Sequence, residues 1–234
     1  MANTFVLVHG AWHGGWCWER LREPLSQRGA LVHTPTLTGL GDRAHLLSPA
    51  VGLRTHIDDI VQVLEEANLR DAILVGHSYG GMVVTGVASR VSNRLARVVY
   101  LDAAVPRNGQ CLFDCTGPKF RNWIDEAAGA RGEGWRIPVP PPKFLGLADA
   151  ADIDWVMPRL VPHPYRSFRE PVQWPAGQEL ALPRSYINCI GDKPRGGERS
   201  AQAEGIDDYH ELATGHDAMV TAPRELAELL NSFS

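Results

Sequence analysis

The chain has 234 residues, a length that suits one well-buried domain with an insertion and is short for two full domains. Hydrophobic residues make up 44% of the chain and charged residues 21%, which is ordinary globular usage and excludes a largely disordered or collagen-like protein. The net charge is -4 and the basic residues are scattered singly, so the sequence argues against binding to nucleic acid or to an anionic membrane.

The cellular compartment and the use of cysteine are also constrained. The residues before the apolar run at Thr4 contain neither a basic region nor a small-residue cleavage site, and no stretch is long enough to cross a bilayer. We therefore expect a cytoplasmic protein. The cysteines lack the spacing of zinc ligands, so no metal site is predicted and buried or free thiols are expected: Cys17, Cys111, Cys115 and Cys189.

Strands and helices alternate through the first hundred residues. Strands are predicted from continuous apolar runs, and helices from apolar positions that recur on one face. The predicted elements are a strand at Thr4–His9, a helix at Trp16–Arg28, a strand at Ala30–Thr34, an amphipathic helix around Ile57–Glu66, a strand at Asp71–Val75, a helix at Gly80–Val91 and a strand at Ala96–Leu101. Such repeated alternation with short connections predicts an α/β protein with a mostly parallel sheet that helices cover on both faces.

The pattern changes between about residue 106 and residue 183. Proline is dense there and several tryptophans occur without a strand rhythm, so this segment is predicted to be a lid inserted into the core. Alternation resumes with a strand at Ser185–Ile190, a helix near Arg199–Glu204, a strand around Asp208–Leu212 and a last helix from Pro223. The predicted domains are therefore a core of residues 1–105 and 184–234 and a lid of residues 106–183.

The sharpest motif is G-x-S-x-G at residues 76–80, placed directly after a predicted strand and directly before a predicted helix. Two glycines without a Cβ let the strand and helix backbones approach closely around a sharp turn. Such a turn forces Ser78 into a strained conformation, exposes its hydroxyl and sets it at a helix N-terminus, where developing negative charge is favoured. Ser78 is the predicted nucleophile; a turn serine that caps a helix is the alternative.

A serine nucleophile needs a base, and the base needs an acid that orients it, in the chain order serine, acid, histidine. His216 lies in a polar loop between the last short strand and the last helix, and it is the predicted base. Asp192 follows the next-to-last strand and is the predicted acid. Asp102, which ends the strand after the nucleophile helix, is the competing acid. His9 and His13 precede the serine and fit a structural or substrate-facing role better.

Two backbone N–H groups must hold the oxyanion of the tetrahedral intermediate that a serine nucleophile forms, one after the nucleophile and one in the loop after the first strand. Those groups belong to Tyr79 and Ala11. Trp12 follows one of them and Trp123 lies in the predicted lid, so both tryptophans are predicted to contact the substrate; core packing is the alternative for each.

Three segments carry a resemblance to a known family: Phe5–Trp16, Pro35–Gly41 and Gly76–Gly81. They resemble the hydroxynitrile lyase and plant methylesterase branch of the α/β hydrolases, together with its small bacterial esterase relatives. The similarity runs through residues 4–105 and returns from about residue 185 to the end, whereas the lid is only loosely similar. The resemblance implies the α/β-hydrolase fold, small carboxylic esters as substrates and no cofactor.

The resemblance also bears on individual residues. It puts Ser78, Asp192 and His216 at the family's triad positions, and Ala11 and Tyr79 at its oxyanion positions. The lyases of this family have a threonine where this chain has Gly10 and a lysine, which holds the developing cyanide, where it has Asp217. A carboxylate at that position is expected to repel cyanide, so an esterase is favoured over a lyase.

Several functions therefore stay open. The leading hypothesis is a serine esterase that acts on small, uncharged carboxylic esters through an acyl-enzyme. Amide or carbamate hydrolysis on the same triad is the nearest alternative, because some bacterial relatives cleave those bonds. A non-enzymatic small-molecule receptor is a different class that this fold also supports. The sequence leaves dimerisation open.

Overall fold

The computed structural model of the chain describes residues 3–178, 180–191, 203 and 205–233. The strands are β1 (Thr4–Val8), β2 (Leu31–His33), β3 (Ala72–His77), β4 (Leu95–Leu101), β5 (Arg136–Ile137), β6 (His163–Pro164), β7 (Arg184–Cys189) and β8 (Asp208–Leu212). The helices are α1 (Glu19–Ser26), α2 (Leu53–Glu66), α3 (Gly80–Val91), α4 (Leu112–Cys115), α5 (Pro118–Arg131), α6 (Ala150–Val156), α7 (Arg166–Arg169), α8 (Ala218–Thr221) and α9 (Pro223–Asn231).

Six parallel strands form the main sheet in the order β2-β1-β3-β4-β7-β8. The central strand β3 is buried along its whole length, as is most of β1. Strands that are covered on both faces need continuous apolar sequence, which is the pattern that predicted them. Because all six strands run the same way, the loops that follow β1, β3, β4, β7 and β8 meet at one edge of the sheet, where open parallel sheets bind ligands.

Helices flank this sheet. Helices α2 and α3 pack against each other, and α1, α8 and α9 form a second group. Amphipathic sequence explains their placement: in α9, for example, Leu226, Ala227 and Leu230 are buried while the charged positions face solvent. The predicted α/β fold with a parallel, helix-covered sheet is thus confirmed. The helix predicted near Arg199–Glu204 falls largely outside the described residues.

The segment between β4 and β7 contains α4 to α7 and a small antiparallel sheet formed by β5 and β6. It corresponds to the region where the sequence predicts an inserted lid. Helix α5 is the longest element in it, and Pro118 at its first position fits because a missing N–H costs nothing there. Among the described residues, no helix combines the length and the apolar character that crossing a bilayer requires.

Candidate active site

Ser78 lies on a tight turn between β3 and α3, with a φ of 55° that non-glycine residues rarely adopt. Two close contacts make this turn possible. A Cβ on Gly76 would lie 2.7 Å from the Gly80 carbonyl oxygen, and a Cβ on Gly80 would lie 2.8 Å from the Val8 carbonyl oxygen. Only glycine fits at either position, so the sequence motif produces the strained, projecting serine that it predicts.

His216 follows β8 and reaches the same edge of the sheet as Ser78. Its Nδ1 lies 2.6 Å from Oδ2 of Asp102, the residue after β4, and both side chains are 23% exposed. Burial acts to lower the pKa of His216, but the hydrogen bond and charge of Asp102, with the charge of Asp217, outweigh it and raise that pKa above 6.5. With Nδ1 donating to Asp102, Nε2 is left free to act as a base.

The carboxylate at the imidazole is therefore the alternative acid of the sequence analysis. Asp192, the predicted acid, lies outside the described residues. Asp102 follows the buried strand β4 directly and has a φ of 43°, a left-handed conformation that turns the chain sharply where the strand ends. Its N–H donates to the Ile187 carbonyl oxygen at 2.8 Å, which fixes it at the edge of the sheet.

Ala11 and Tyr79, whose backbone N–H groups are the predicted oxyanion donors, both line the cavity that contains Ser78. Neither N–H donates a hydrogen bond within the part of the chain that the structure describes. Buried N–H groups are almost always paired, so two unpaired donors beside a strained serine are what an oxyanion hole requires. The role of these two residues as oxyanion donors stays a prediction, which their position and their unpaired N–H groups support.

We call the loop after β1, which carries Ala11, the oxyanion loop after its predicted role. His9 holds one of its peptide units in place. His9 accepts the Leu37 N–H at 3.1 Å, so its Nδ1 donates to the Gly10 carbonyl oxygen at 2.8 Å. That carbonyl shares a peptide plane with the Ala11 N–H, whose direction is thereby fixed. Burial lowers the pKa of His9 to about 3, so its ring is neutral, as this pattern of one donor and one acceptor needs.

The insertion holds the next residue of the loop. Trp12 has a φ of 66° and donates its N–H to Nδ1 of His163 at 3.4 Å, while its carbonyl oxygen accepts the Val161 N–H at 3.0 Å. The indole Nε1 donates to the Ile137 carbonyl oxygen at 3.2 Å. These bonds attach the loop after β1 to β6 and β5, so the insertion and the oxyanion loop form one hydrogen-bonded unit.

A cavity of about 450 Å³ opens over Ser78 and His216, a volume that suits a small organic molecule. Its walls are mostly apolar and aromatic, and neither lysine nor arginine is among the described residues that line it. The rings that line it are those of Trp12, Tyr79, Phe120, Phe144, Phe168 and Tyr186. An uncharged ligand with a flat apolar part fits such walls best.

The structure corrects the prediction for one of the two tryptophans. Trp12 lines the cavity and is nearly buried, so its ring forms part of the cavity wall and also packs in the hydrophobic core. Trp123 is not among the described lining residues; its ring packs 5.0 Å from Phe144 and 6.0 Å from Phe120, centroid to centroid. The aromatic residues of the insertion that line the cavity are phenylalanines, and the irregular sequence there gave no periodicity that could have singled them out.

Asp217, which stands where the lyases have a lysine, is not among the described residues that line the cavity. Its side chain is fully buried and faces His13, with Oδ2 3.1 Å from Nε2 of that histidine, and it does not line the cavity. The expected repulsion of cyanide therefore stays a prediction that rests on the charge of Asp217 close to His216, without contact between the carboxylate and a ligand in the cavity. The glycine at position 10, where the lyases have a threonine, has a structural basis. A Cβ on Gly10 would lie 3.0 Å from the Ser78 Cβ and 2.9 Å from Nδ1 of His77.

Three side chains lie close enough to share a metal ion: His77, His216 and Asp217 offer ligand atoms within 4.8 Å of one another. Most of these side chains are already engaged in hydrogen bonds. Nε2 of His77 lies 3.0 Å from the His216 carbonyl oxygen, to which it can only donate, and His13 occupies one oxygen of Asp217. The cluster is therefore built for hydrogen bonding around the base.

Known proteins resemble this chain along its whole length. Residues 5–229 match the alpha/beta hydrolase family. The carbendazim hydrolyzing esterase of Nocardioides sp. is 41% identical, with 98% of each chain covered. Putative methylesterase 11 of Arabidopsis thaliana is 31% identical over 48% of this chain and 29% of its own length.

A solved structure agrees. An extracellular alpha/beta-hydrolase from a Paenibacillus species, described as sharing structural and functional homology with tobacco salicylic acid binding protein 2, superposes with a TM-score of 0.87. It is 27% identical to this chain, and the alignment covers 99% of both chains. The resemblance that the sequence motifs indicated is thus confirmed. The chain belongs to the alpha/beta hydrolase family, in the branch that contains plant methylesterases and bacterial esterase relatives.

Proposed function

We propose that the protein is a serine esterase that cleaves small, uncharged carboxylic esters through an acyl-enzyme. The observation that carries this proposal is the cavity itself: Ser78, His216 and Asp102 meet on it together with the free N–H groups of Ala11 and Tyr79. Nucleophile, base, orienting acid and oxyanion donors are the complete set that acyl transfer needs.

In the proposed reaction the Ser78 hydroxyl oxygen attacks the ester carbonyl carbon while Nε2 of His216 takes the hydroxyl proton. The carbonyl oxygen becomes an oxyanion, which the N–H groups of Ala11 and Tyr79 stabilise. The tetrahedral intermediate expels the alcohol, which receives the proton from His216, and leaves an acyl-serine. Water, deprotonated by the same imidazole, then releases the acid and regenerates the serine.

Asp102 is the proposed orienting acid. It accepts the Nδ1 proton of His216, which fixes the ring and the tautomer with a free Nε2, and its charge stabilises the imidazolium that forms during attack. We assign the role to Asp102 because it is the carboxylate in hydrogen-bonding contact with the imidazole. The family pattern puts Asp192 in the same role. Comparing the kinetics of variants at Asp102 and at Asp192 distinguishes the two assignments.

Carbamate hydrolysis is the second candidate. It is favoured by the 41% identity, over 98% of both chains, to an esterase named for hydrolysing carbendazim. A carbamate presents a carbonyl to Ser78 in the same way as an ester does, and an apolar cavity without cationic side chains accommodates either neutral group. We propose that an aryl group of the substrate packs against the aromatic walls.

Pre-steady-state kinetics tests the proposal. Purified protein mixed with a chromogenic aryl ester should release about one equivalent of chromophore in a burst, followed by slower steady turnover, because acylation and deacylation are separate steps. A panel of aryl esters, alkyl esters, aryl carbamates and cyanohydrins then ranks the substrates by kcat/KM. Binding without turnover across the panel would instead indicate a receptor, and preferential cleavage of cyanohydrins would indicate a lyase.

Phe144 offers a test of the aromatic wall. It is 38% exposed at the cavity, its ring is stacked on Phe120 at 6.1 Å, and its edge meets Trp12 at 5.7 Å. Phe144→Ala should raise KM for aryl esters by about tenfold, a loss typical of one aromatic contact, and leave kcat for a short acetate ester nearly unchanged. Steady-state kinetics with an aryl ester and with ethyl acetate measures both.

Trp123→Ala is the matched control, because that ring packs behind Phe144 without lining the cavity. Its effect on KM for aryl esters should be smaller than that of Phe144→Ala. If Trp123→Ala had the larger effect, or if Phe144→Ala weakened acetate and aryl esters equally, the proposed contact between Phe144 and the aryl group would be wrong.

A further inference from the structure

His13 lies behind the proposed active site and joins two of its loops. The side chain is 1% exposed, its Nδ1 lies 2.7 Å from the Ala11 carbonyl oxygen, and its Nε2 lies 3.1 Å from Oδ2 of Asp217. A carbonyl oxygen can only accept, so Nδ1 carries a proton and donates it. The opposite nitrogen shares a second proton with the carboxylate. One rigid ring therefore spans the gap between Ala11 and Asp217.

Each end of this span adjoins a group that the proposed reaction uses. Ala11 supplies one of the two proposed oxyanion donors, and Asp217 is the residue directly after the base, His216. The two loops follow different strands, β1 and β8, which are separated in the sheet by β3, β4 and β7. Nothing in the order of the sheet holds these loops at a fixed distance, whereas the hydrogen bonds of His13 do.

The surroundings of Asp217 support a fixed geometry. Its N–H donates to the Leu145 carbonyl oxygen at 3.1 Å, and the carbonyl oxygen of the preceding His216 accepts from Nε2 of His77 at 3.0 Å. Burial acts to raise the pKa of Asp217, but the charge and hydrogen bond of His13, with the charges of His77 and His216, outweigh it and keep that pKa below its ordinary value. The carboxylate is thus stabilised in its ionised form and is held against Nε2 of His13.

We propose that His13 and Asp217 are positioning residues that hold the oxyanion loop and the base loop in register for acyl transfer. We call this hydrogen-bonded pair the brace. The inference rests on the proposed esterase function and concerns a pair that touches no substrate. Without the brace, the Ala11 N–H and the imidazole of His216 are still held by other bonds of their loops, but their separation is set less precisely. Misalignment of about 1 Å is enough to slow such a reaction strongly.

Two isosteric variants isolate the brace. In Asp217→Asn, a neutral His13 keeps its Nδ1 proton on the Ala11 carbonyl oxygen and accepts a hydrogen bond from the new amide, so the span is preserved without charge. In Asp217→Leu, a side chain of nearly the same shape makes no hydrogen bond, so the span is broken. Both variants lack the carboxylate, so its electrostatic effect on His216 is removed equally and cancels in the comparison.

With an aryl ester as substrate, Asp217→Asn should retain kcat within about threefold of the parent chain, while Asp217→Leu should lose at least about tenfold, with KM changed less than about threefold in both. The unfolding temperature of each variant is measured alongside. If Asp217→Leu does not fold, the double variant His13→Leu/Asp217→Leu replaces it, since removing both partners leaves no unpaired buried charge and is often neutral for stability.

The corresponding changes at Asp208 serve as a control. This carboxylate begins β8, at the opposite end of the strand from the site, and pairs with Arg97 at 2.5 Å. Asp208→Asn and Asp208→Leu should therefore give the same kcat. Equal kcat for Asp217→Asn and Asp217→Leu would overturn the brace, as would a loss in Asp217→Leu that appears only in KM. A parent chain without ester turnover would refute the proposed function instead, and the brace with it.

Discussion

Replacing Ser78 with alanine should lower kcat for esters by about a thousandfold or more, because the reaction loses its nucleophile and keeps only the weak catalysis that the oxyanion hole supplies with water. The fold should remain intact, since the hydroxyl projects into the cavity and its removal leaves no void in the core. The φ of 55° at this position is hardly easier for alanine than for serine, so backbone strain is unchanged. Steady-state kinetics with an aryl ester and thermal unfolding measure the two effects.

Covalent labelling provides the matching control. A fluorophosphonate should modify the parent chain once, at Ser78, and should leave Ser78→Ala unmodified, because only an activated serine reacts at an appreciable rate. Peptide mapping by mass spectrometry locates the adduct. Near-normal turnover in Ser78→Ala, or an adduct at another residue, would refute the serine-hydrolase mechanism.

Replacing Asp102 with asparagine should lower kcat by about a hundredfold to ten-thousandfold while KM changes little. The amide that replaces the carboxylate can turn its nitrogen toward His216 and favour the wrong tautomer, and the charge that stabilises the imidazolium disappears.

The pH dependence of kcat/KM should change in Asp102→Asn as well. The base must be neutral to act, so kcat/KM rises with pH as His216 loses its proton, and the contact with Asp102 places that rise above pH 6.5. Without the carboxylate, the rise should shift to lower pH.

Asp192→Asn is the comparison that decides the acid. The sequence analysis expects the larger loss at Asp192, whereas the contact between Asp102 and Nδ1 of His216 predicts the larger loss at Asp102. Both variants should be measured with the same ester over the same pH range. Asp192 would be the orienting acid if Asp192→Asn had the larger loss of kcat and if Asp102→Asn left the pH at which kcat/KM rises unchanged.

Much of the fold followed from the sequence because local and global signals agree. The runs at Phe5–Val8 and Ala72–Val75 are continuously apolar, and both lie in strands buried within the sheet. The placement of Ser78 followed equally well, because glycines on both sides of the serine and a strand and a helix beyond them leave few other conformations. Chain order and loop position likewise select His216 from nine histidines, and this residue lines the same cavity as Ser78.

The walls of the cavity and the partner of the imidazole could not be deduced in the same way. Which ring faces a cavity depends on how an irregular segment packs, and Phe120 and Trp123 on one helix face different surroundings. The acid depends on which of two loops brings a carboxylate within hydrogen-bonding distance of Nδ1, and strand order alone allows Asp102 as well as Asp192. The brace was equally hidden, because His13 and Asp217 are 204 residues apart in sequence.

The attachment of the insertion to the core has a consequence for how substrate range can evolve in this protein. The insertion contributes the Val161 N–H and the Ile137 and Leu145 carbonyl oxygens to these contacts, all of them main-chain groups, and one side chain, that of His163. Any residue offers the two carbonyls, and any residue except proline offers the N–H, so on the side of the insertion only the contact of His163 depends on side-chain identity. The rings that face the ligand can therefore be exchanged by mutation while the reaction centre keeps its support. Selectivity and reactivity are thus largely separable in this architecture, because the exchangeable rings of the cavity are different residues from the buried polar side chains and main-chain groups that hold the loops of the site.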